Sequence, residues 1–374
     1  MGQPLPRLQI ASPTELVVHD DGAQPIAIHP IWLRERSEDP RAVDLTTGQR
    51  LHDPSDLPLD LAIAAISDLG GGQVSVVFSD GHEAVYSTQR LLAEIALPLG
   101  DHDCPPVRLW TGQLNDLPRA AWTDTPTEPE RFGWVTDFLR YGFIVFSGVP
   151  REEGSVLTVG QTFGHVRTTN FGALFDVRSV PDATDLAYTA IELGAHTDNP
   201  YRSPVPGVQL LHCLINETTG GLSTLVDGFA AAEALRVQDP EAFRILSQTP
   251  VRFRYQDPST ELVASAPPIE LDVTGAVRNI HMSPRLDFVP LAPPAQLDAY
   301  YRARKTFDLM LRDKAFEIRF LLNAGELVMF DNCRLLHGRT SFDPSEGLRH
   351  LQGCYIDIDG PRSLYRVLRR TVQT

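Results

Sequence analysis

The chain contains a histidine and an aspartate two positions apart, in His196-Thr197-Asp198, and another histidine, His337, far along the sequence. Side chains of an extended segment alternate with a period of two, so His196 and Asp198 would point to one side and could bind one metal ion. Two protein ligands hold a divalent ion poorly, and His337 is the candidate for a third. The fold must then return the segment around residue 337 to the side of residue 196, which restricts the architecture more than any other feature.

A His-x-Asp pair is a weak indication by itself, because the chain has 11 histidines and 48 acidic residues. The alternative is a turn at Asn199-Pro200 beside a solvated histidine. Arg349 follows His337 by twelve residues and favours the metal site. Its planar guanidinium could bind the far carboxylate of a dicarboxylic co-substrate held on the ion. A surface ion pair is the alternative for Arg349, but the residues around it are apolar. Two histidines with one carboxylate are the ligand set of non-haem Fe(II) oxygenases.

Three segments resemble the γ-butyrobetaine hydroxylase and trimethyllysine hydroxylase family of Fe(II)/2-oxoglutarate-dependent oxygenases, which are related to taurine dioxygenase. These segments are residues 196–213, 220–229 and 331–339. The resemblance implies hydroxylation of an unactivated C–H bond, with O2 and 2-oxoglutarate as co-substrates and succinate and CO2 as products. It also implies a homodimer.

The same resemblance implies roles for individual residues. His196, Asp198 and His337 would hold Fe(II), and Arg349 would pair with the 5-carboxylate of 2-oxoglutarate. Ser223 stands where the family often has a hydroxyl that contacts the 2-oxoglutarate carboxylate. The alternative for Ser223 is a strand hydroxyl satisfied by the backbone.

The substrate of this family carries a trimethylammonium group. Such a cation has no hydrogen to donate on nitrogen, so a protein attracts it through cation–π contacts, worth ~0.5–2 kcal/mol per favourable face. The positions that match the family's aromatic cage are Phe171, Phe175, Tyr188 and Tyr355. Scattered aromatic residues are usually core. Tyr188 and Tyr355 are more specific, because each lies near a metal or co-substrate ligand in the sequence.

At the other end of the substrate the sequence departs from the family, because Asp185 stands where butyrobetaine hydroxylases have an asparagine. A carboxylate there cannot receive a substrate carboxylate unless it is protonated, paired or turned away. The donors that could bind an anion instead are Asn199, His281, Ser283 and Arg285. We therefore expect a short trimethylammonium zwitterion, with 2-(trimethylammonio)ethylphosphonate ahead of γ-butyrobetaine. The alternatives are trimethyllysine, another small acid as in taurine dioxygenase, and a catalytically silent cupin-type binding protein.

Many short β-branched and aromatic runs with a few helical patterns predict a mainly β protein with peripheral helices. We predict a small β-rich N-terminal domain over 1–97, a linker rich in Pro, Asp and Thr over 98–128, and a catalytic domain over 129–374. The catalytic domain is expected to be a double-stranded β-helix, the cupin-type jelly roll. Ile26–Arg34 is interpreted as one strand-like run, and Glu128–Tyr141 as a helix that Gly142 ends.

The family's N-terminal domain often binds zinc through three cysteines after a Trp-Leu-Arg motif and a distant histidine. Here Trp32-Leu33-Arg34 is present and His82 stands at the histidine position, but residues 35–42 contain no cysteine, so we expect no structural zinc. A net charge of −15 argues against nucleic-acid binding. No apolar run approaches the ~20 residues of a membrane-spanning helix. The four scattered cysteines fit a reducing compartment, and we expect a cytoplasmic enzyme.

Overall fold

The computed structural model describes residues 6–20, 24–96, 103–178 and 190–372, and the chain divides into two compact units, Met1–Leu99 and Gly100–Thr374. The described part of the first unit has two α-helices and two antiparallel sheets, ordered β1-β2-β3 and β4-β5-β6. The elements are β1 (Arg7–Ser12), β2 (Glu15–His19), β3 (Ile26–Ile28), α1 (Pro30–Arg34), β4 (Ile63–Gly70), β5 (Gln73–Phe78), β6 (Glu83–Ser87) and α2 (Thr88–Ile95). Side chains such as Leu16, Val76 and Phe78 form its buried core.

The interpretation of Ile26–Arg34 as one strand-like run is wrong. The strand ends at Ile28, and a short helix begins at Pro30. Proline has no backbone N–H to give to a sheet, and its fixed φ suits the first position of a helix. The Nδ1 atom of His29 accepts a hydrogen bond from the backbone N–H of Ile31, 3.2 Å away, and caps that helix.

The family position of a zinc-binding histidine is occupied by a hydrogen-bonded side chain. The Nε2 atom of His82 lies 2.9 Å from Oγ of Ser37, and Arg34 forms an ion pair with Asp80 at 3.3 Å. The first unit contains no cysteine. Its donor set therefore does not fit a structural zinc ion, and we derive no role for one.

The second unit has sixteen strands and six α-helices among its described residues. Its strands are β7 (Arg119–Ala121), β8 (Phe143–Ser147), β9 (Val166–Arg167), β10 (Phe175–Arg178), β11 (Leu193–His196), β12 (Val208–Asn216), β13 (Ser223–Asp227), β14 (Val251–Gln256), β15 (Glu261–Ala266), β16 (Ile269–Leu271), β17 (Val277–Ile280), β18 (Asp287–Phe288), β19 (Glu317–Phe320), β20 (Leu327–Asp331), β21 (Leu335–Arg339) and β22 (Arg349–Ile356). Its helices are α3 (Glu128–Tyr141), α4 (Ser155–Phe163), α5 (Gly228–Gln238), α6 (Pro240–Gln248), α7 (Pro294–Arg312) and α8 (Asp359–Val372).

Two sheets form the jelly roll of this unit. The major sheet has the order β10-β22-β12-β20-β8-β7, with β9 beside β22, and the minor sheet has the order β11-β21-β13-β19. Apolar side chains from both sheets, such as Phe330 on β20 and Leu225 on β13, pack together between them. Helices α3, α4 and α8 cover the outer face of the major sheet. Strand β20 is therefore covered on both faces, which explains its continuous apolar run.

The predicted helix over Glu128–Tyr141 is confirmed with those bounds. It begins with a capping box, in which Thr127 and Glu130 satisfy each other's backbone N–H groups. It ends at Gly142, whose φ of 78° lies in the left-handed region that glycine adopts without strain.

Part of the segment predicted as a linker packs on the second unit. Strand β7 pairs in parallel with β8, and Trp110 is buried with its Nε1 atom donating to the carbonyl of Tyr141, 2.7 Å away. These contacts give residues 103–127 a structural role. In the described part of the chain, no helix has both the length and the apolar character that crossing a bilayer requires.

Candidate metal and co-substrate site

The two predicted histidines and the aspartate converge at one point. Strands β11 and β21 are neighbours, and His196 pairs directly with His337 in their antiparallel register. Nε2 of His196 lies 3.4 Å from Oδ1 of Asp198, and Nε2 of His337 lies 3.8 Å from Oδ2 of the same carboxylate. One potential ligand atom from each residue lies within 4.8 Å of the other two. The spacing suits three ligands of one metal ion.

The strand argument for His196 and Asp198 is wrong in one respect. Strand β11 ends at His196, so the strand does not direct the side chain of Asp198. The amide side chain of Asn332 holds the backbone of Asp198 instead: its Oδ1 accepts from the N–H at 2.7 Å, and its Nδ2 donates to the carbonyl at 3.0 Å. Asn332 is fully buried. A residue of the β20–β21 turn therefore positions the metal-binding carboxylate.

Further hydrogen bonds orient the ligand side chains. Nδ1 of His196 lies 3.0 Å from the carbonyl of Gly194, so its proton is directed there and the Nε2 lone pair faces the centre. The hydroxyl of Tyr355 donates to Oδ2 of Asp198 at 2.7 Å.

The protonation states of His337 and Asp198 also suit a metal. Burial and the neighbouring His196 lower the pKa of His337 to about 3, so its imidazole is neutral at pH 7. Burial alone would raise the pKa of Asp198, but His337 and His196 hold it below its usual range. Two imidazole nitrogens and one carboxylate are a donor set that Fe(II) accepts. The residues present therefore fit the ion that the ligand set predicted.

A buried cation lies at the start of β22. Arg349 is 8% exposed, and its Nε atom has no hydrogen-bond partner among the described residues. Its guanidinium lies 5.4 Å from the ring of Phe342, and one of its terminal nitrogens donates a long hydrogen bond of 3.4 Å to the carbonyl of Gly221. A buried guanidinium with spare donors is suited to a carboxylate ligand.

One cavity of about 520 Å³ connects this cation with the metal ligands. Ser223 lines the cavity from β13, and Leu211 and Leu351 line it from the major sheet. Its other walls include Phe171, Phe175, Asn199, Tyr201, Tyr255, Ser283, Arg285, Arg339 and Tyr355. A pocket of this size encloses a small molecule together with a bound co-substrate.

Three of the four predicted cage residues line the cavity. The ring of Phe175 stacks on Tyr355 at 5.2 Å between centroids, and Phe171 meets Tyr255 edge to face at 5.7 Å. Phe175 can approach the sheet because Gly353 lies beneath it, and a Cβ atom on Gly353 would come within 2.5 Å of its ring. Tyr188, the fourth predicted cage residue, lies outside the described residues.

The predicted anion-binding residues divide into two groups. Asn199, Ser283 and Arg285 line the cavity. His281 does not line the cavity, contrary to the prediction. Its Nε2 atom is hydrogen-bonded to Glu270 at 2.9 Å instead. Asp185 lies outside the described residues.

Asn199 and Arg285 offer donors to an anion. Asn199 adopts a φ of 54°. Its Oδ1 atom accepts a hydrogen bond from the hydroxyl of Tyr201 at 2.5 Å. Its buried Nδ2 atom has no partner among the described residues. Arg285 is exposed at the cavity and forms no ion pair within the described part of the chain. Both groups are therefore available to a ligand.

Sequence reasoning missed several residues of the site. The hydrogen bond from the Asp198 backbone to Asn332 was not predicted, although Asn332 belongs to a segment that resembles the family. Tyr201, Tyr255 and Gln209 were not predicted to line the cavity. The aromatic pair Tyr201 and Tyr255 stacks at 5.1 Å although 54 positions separate the two in the chain. No local pattern marks such a pair, because the register of distant strands brings the two rings together.

Comparisons with known proteins agree with this geometry. The family described as taurine catabolism dioxygenase TauD, TfdA family matches residues 115–355, and the family described as γ-butyrobetaine hydroxylase-like, N-terminal, matches residues 10–92. A γ-butyrobetaine dioxygenase of Pseudomonas sp. strain AK-1 is 39% identical over 350 residues, covering 91% of this chain and 90% of that protein. A trimethyllysine dioxygenase of Meyerozyma guilliermondii is 28% identical over 367 residues, covering 91% and 90%.

A solved structure has the same fold. The taurine dioxygenase from Burkholderia xenovorans superimposes with a TM-score of 0.50 at 15% identity, covering 70% of this chain and 97% of that one. At that identity the likeness concerns the fold, whereas the family matches concern the sequence. The chain belongs to the TauD/TfdA dioxygenase family, with γ-butyrobetaine and trimethyllysine dioxygenases among its relatives, and it is a dioxygenase that uses Fe(II), 2-oxoglutarate and O2.

Proposed function

We propose that the protein hydroxylates an unactivated C–H bond of a short trimethylammonium zwitterion, with γ-butyrobetaine as the first candidate. The observation that carries this proposal is the cavity, in which an aromatic wall and an exposed arginine both border the candidate metal ligands. The relative that is 39% identical over most of both chains supports γ-butyrobetaine. We also propose 2-(trimethylammonio)ethylphosphonate, because a dianionic phosphonate would accept charge-assisted hydrogen bonds from Arg285 and a further one from Asn199.

We assign Fe(II) to His196, Asp198 and His337. When bound, Fe(II) and 2-oxoglutarate supply the oxidation of the substrate C–H bond by O2, with release of succinate and CO2. The chain itself orients the ligands. Asn332 fixes the backbone of Asp198, and Tyr355 hydrogen-bonds its carboxylate.

We assign the 5-carboxylate of 2-oxoglutarate to Arg349 and a second contact to Ser223. Within the described part of the chain, the buried guanidinium has an unpartnered Nε and one long hydrogen bond. A buried cation is stabilised strongly by an anion, because the surroundings screen the attraction poorly. The apolar side chains of Leu211 and Leu351 line the cavity and would exclude water from the carbon chain of the co-substrate.

We place the trimethylammonium group against Phe171, Phe175 and Tyr355. The stacked pair of Phe175 and Tyr355 lies beside Asp198, so a cation held there would be near the metal ligands. Each aromatic face attracts a desolvated cation by ~0.5–2 kcal/mol. Tyr188 remains a predicted member of this cage.

We place the anionic end of the substrate against Arg285, with Asn199 and Ser283 as further donors. Nδ2 of Asn199 is buried and without a partner among the described residues, so an oxyanion would satisfy it. Asp185 stays a predicted neighbour of this end, with the role of meeting the α-amino group if the substrate is trimethyllysine. The trimethyllysine dioxygenase at 28% identity supports that alternative.

A parallel turnover assay tests the proposal. The purified protein with Fe(II), 2-oxoglutarate and O2 is offered γ-butyrobetaine, the trimethylammonio phosphonate, trimethyllysine and taurine, and both succinate and the hydroxylated product are measured by mass spectrometry. We expect turnover of one of the two short zwitterions at a kcat/KM at least about tenfold above that of taurine, the difference that a desolvated cage contact supplies. We expect its kcat/KM to exceed that of trimethyllysine as well. Preferred hydroxylation of trimethyllysine, or turnover of taurine alone, would overturn it.

The homodimer is proposed from the family resemblance, and the cytoplasmic location from the four scattered cysteines, which fit a reducing compartment. Sedimentation velocity of the purified protein measures the oligomeric state. Cell fractionation followed by immunoblotting determines the cellular location.

A further inference from the structure

Gln209 lines the cavity beside residues that contact the metal ligands and form the aromatic wall. It stands on β12, directly opposite Tyr355 on β22 and Phe330 on β20. Directly paired residues of antiparallel strands project to the same face of a sheet. The ring of Phe330 lies 4.9 Å from that of His337, and Tyr355 hydrogen-bonds Asp198. The side chain of Gln209 therefore faces the reacting end of the cavity, which it lines.

The side chain of Gln209 holds an unsatisfied acceptor. The residue is 3% exposed, and its Oε1 atom has no hydrogen-bond partner among the described residues. Buried side-chain oxygens in folded proteins are ordinarily hydrogen-bonded, so an exception at a cavity wall indicates a group that meets its partner in a ligand. None of the described residues donates to this oxygen, so the amide can present it to a ligand in the cavity.

The chemistry of the neighbours selects the partner. An oxygen acceptor repels carboxylates, which argues against the anionic co-substrate as the group that Oε1 contacts. Tyr355 already gives its hydroxyl proton to Asp198, so it is no donor for Gln209. A trimethylammonium group has no N–H, but its methyl C–H bonds carry part of the positive charge and form C–H···O contacts with a carbonyl oxygen.

The carboxylates that border the cavity do not serve the cation directly. Asp198 belongs to the candidate metal site, and Asp176 accepts hydrogen bonds from Gln352 at 3.1 Å and lies 2.6 Å from Nε2 of His350. The neutral carbonyl of Gln209, beside the stacked pair of Phe175 and Tyr355, adds the negative end of a dipole to this wall.

We propose that Gln209 is a specificity residue of the cation subsite, where its Oε1 accepts C–H···O contacts from the substrate's trimethylammonium group. This inference rests on the proposed function. It adds a dipolar contact to a wall in which two positions are phenylalanines, whose faces attract cations less than those of tryptophan.

The test compares a cation with its neutral twin. In 5,5-dimethylhexanoate a carbon atom replaces the nitrogen of γ-butyrobetaine, so shape and carboxylate are kept and the positive charge is lost. Binding of both compounds to the enzyme with Fe(II) and 2-oxoglutarate is measured by calorimetry without oxygen. The proteins are the wild type, Gln209→Leu, which removes the acceptor at similar volume, and Gln209→Glu, which adds negative charge.

We expect the wild type to prefer γ-butyrobetaine over the carbon compound. Gln209→Leu should weaken γ-butyrobetaine binding by about two- to fivefold, the range of one C–H···O contact, and leave the carbon compound unchanged. Gln209→Glu should strengthen γ-butyrobetaine binding. The KM for 2-oxoglutarate should stay within about twofold in the Leu variant, because the acceptor does not contact an anion.

Four results would overturn the inference. Equal loss for both compounds in Gln209→Leu would make the residue a packing element. A raised KM for 2-oxoglutarate with unchanged γ-butyrobetaine binding would assign it to the co-substrate. Failure of the wild type to bind either compound would overturn the proposed function as well. If the wild type and both variants preferred the cation to the same extent, only the role of Gln209 would be overturned.

Discussion

The hydroxyl of Tyr355 donates a hydrogen bond to Oδ2 of Asp198, and 2.7 Å separate the two oxygen atoms. The ring of the same tyrosine stacks on Phe175. One residue of β22 therefore contacts the candidate metal ligand through its polar end and forms the proposed cation wall with its apolar face. Amphipathic aromatic side chains are suited to such a position.

Tyr355→Phe separates these two roles. It keeps the aromatic face and removes the hydrogen bond to Asp198, so we expect Fe(II) affinity to fall by about tenfold, as for other outer partners of metal ligands. The KM for the trimethylammonium substrate should change little. Tyr355→Leu should impair both quantities. Fe(II) titration and steady-state kinetics measure them, and wild-type iron affinity in Tyr355→Phe would contradict the role of the hydroxyl.

Asn332→Ala should loosen the metal site from its supporting side. The amide makes three hydrogen bonds, two to the backbone of Asp198 and one to the carbonyl of Pro206. Leaving those buried groups unpaired costs about 1–3 kcal/mol each, so the melting temperature and Fe(II) affinity should both fall. Asn323→Ala is the control, because Asn323 is an exposed residue whose amide contacts Glu326. Equal effects of the two substitutions would refute the clamp.

Gly221→Ala should raise the KM for 2-oxoglutarate. A Cβ atom there would come within 2.9 Å of Nε of Arg349 and displace the guanidinium. Gly221 also has a φ of 66°, so alanine adds about 1–2 kcal/mol of backbone strain. Gly148→Ala is matched for this strain, since Gly148 has a φ of 78° and open space around its Cβ position. Kinetics of both variants should show the co-substrate effect only at position 221.

Arg334→Met should be strongly destabilising. Arg334 and Asp227 form a buried ion pair at 2.6 Å, exposed by 2% and 0%, and the same guanidinium donates to the carbonyls of Arg108 and Arg140. Removing one partner of such a pair costs about 3–5 kcal/mol because the other charge stays buried. Arg244→Met removes an exposed pair with Glu241 and should change the stability little, because solvent screens such pairs. Urea unfolding compares the two, and similar losses would contradict the argument.

Acid should weaken the fold through His212. Burial lowers the pKa of this histidine from 6.5 to about 4, so below pH 6.5 the unfolded chain binds a proton that the folded chain excludes. The free energy of unfolding therefore decreases from pH 6.5 towards pH 4. His212→Leu should reduce the loss between pH 7 and pH 5 by about 2 kcal/mol. The exposed His165 provides the control, and an unchanged pH dependence in His212→Leu would contradict the prediction.

The candidate site residues could be predicted from the amino-acid sequence alone. His196, Asp198, His337 and Arg349 are few in number and carry their chemistry in their side chains, so a family pattern can identify them. Local structure was equally accessible where the signal is local, as in the helix from Glu128 to Tyr141 with its capping box and terminal glycine. Short-range propensity and capping need only neighbouring residues.

Only the tertiary structure decided how these residues are supported. Asn332 clamps Asp198 across 134 positions, Tyr355 joins the metal ligand to the aromatic wall, and Gln209 presents its free acceptor to the cavity. The tertiary structure also places His281 beside Glu270 and away from the predicted anion site. The physical reason is that strand register and the packing of two sheets set the direction of each side chain, and these depend on contacts between residues far apart in the chain.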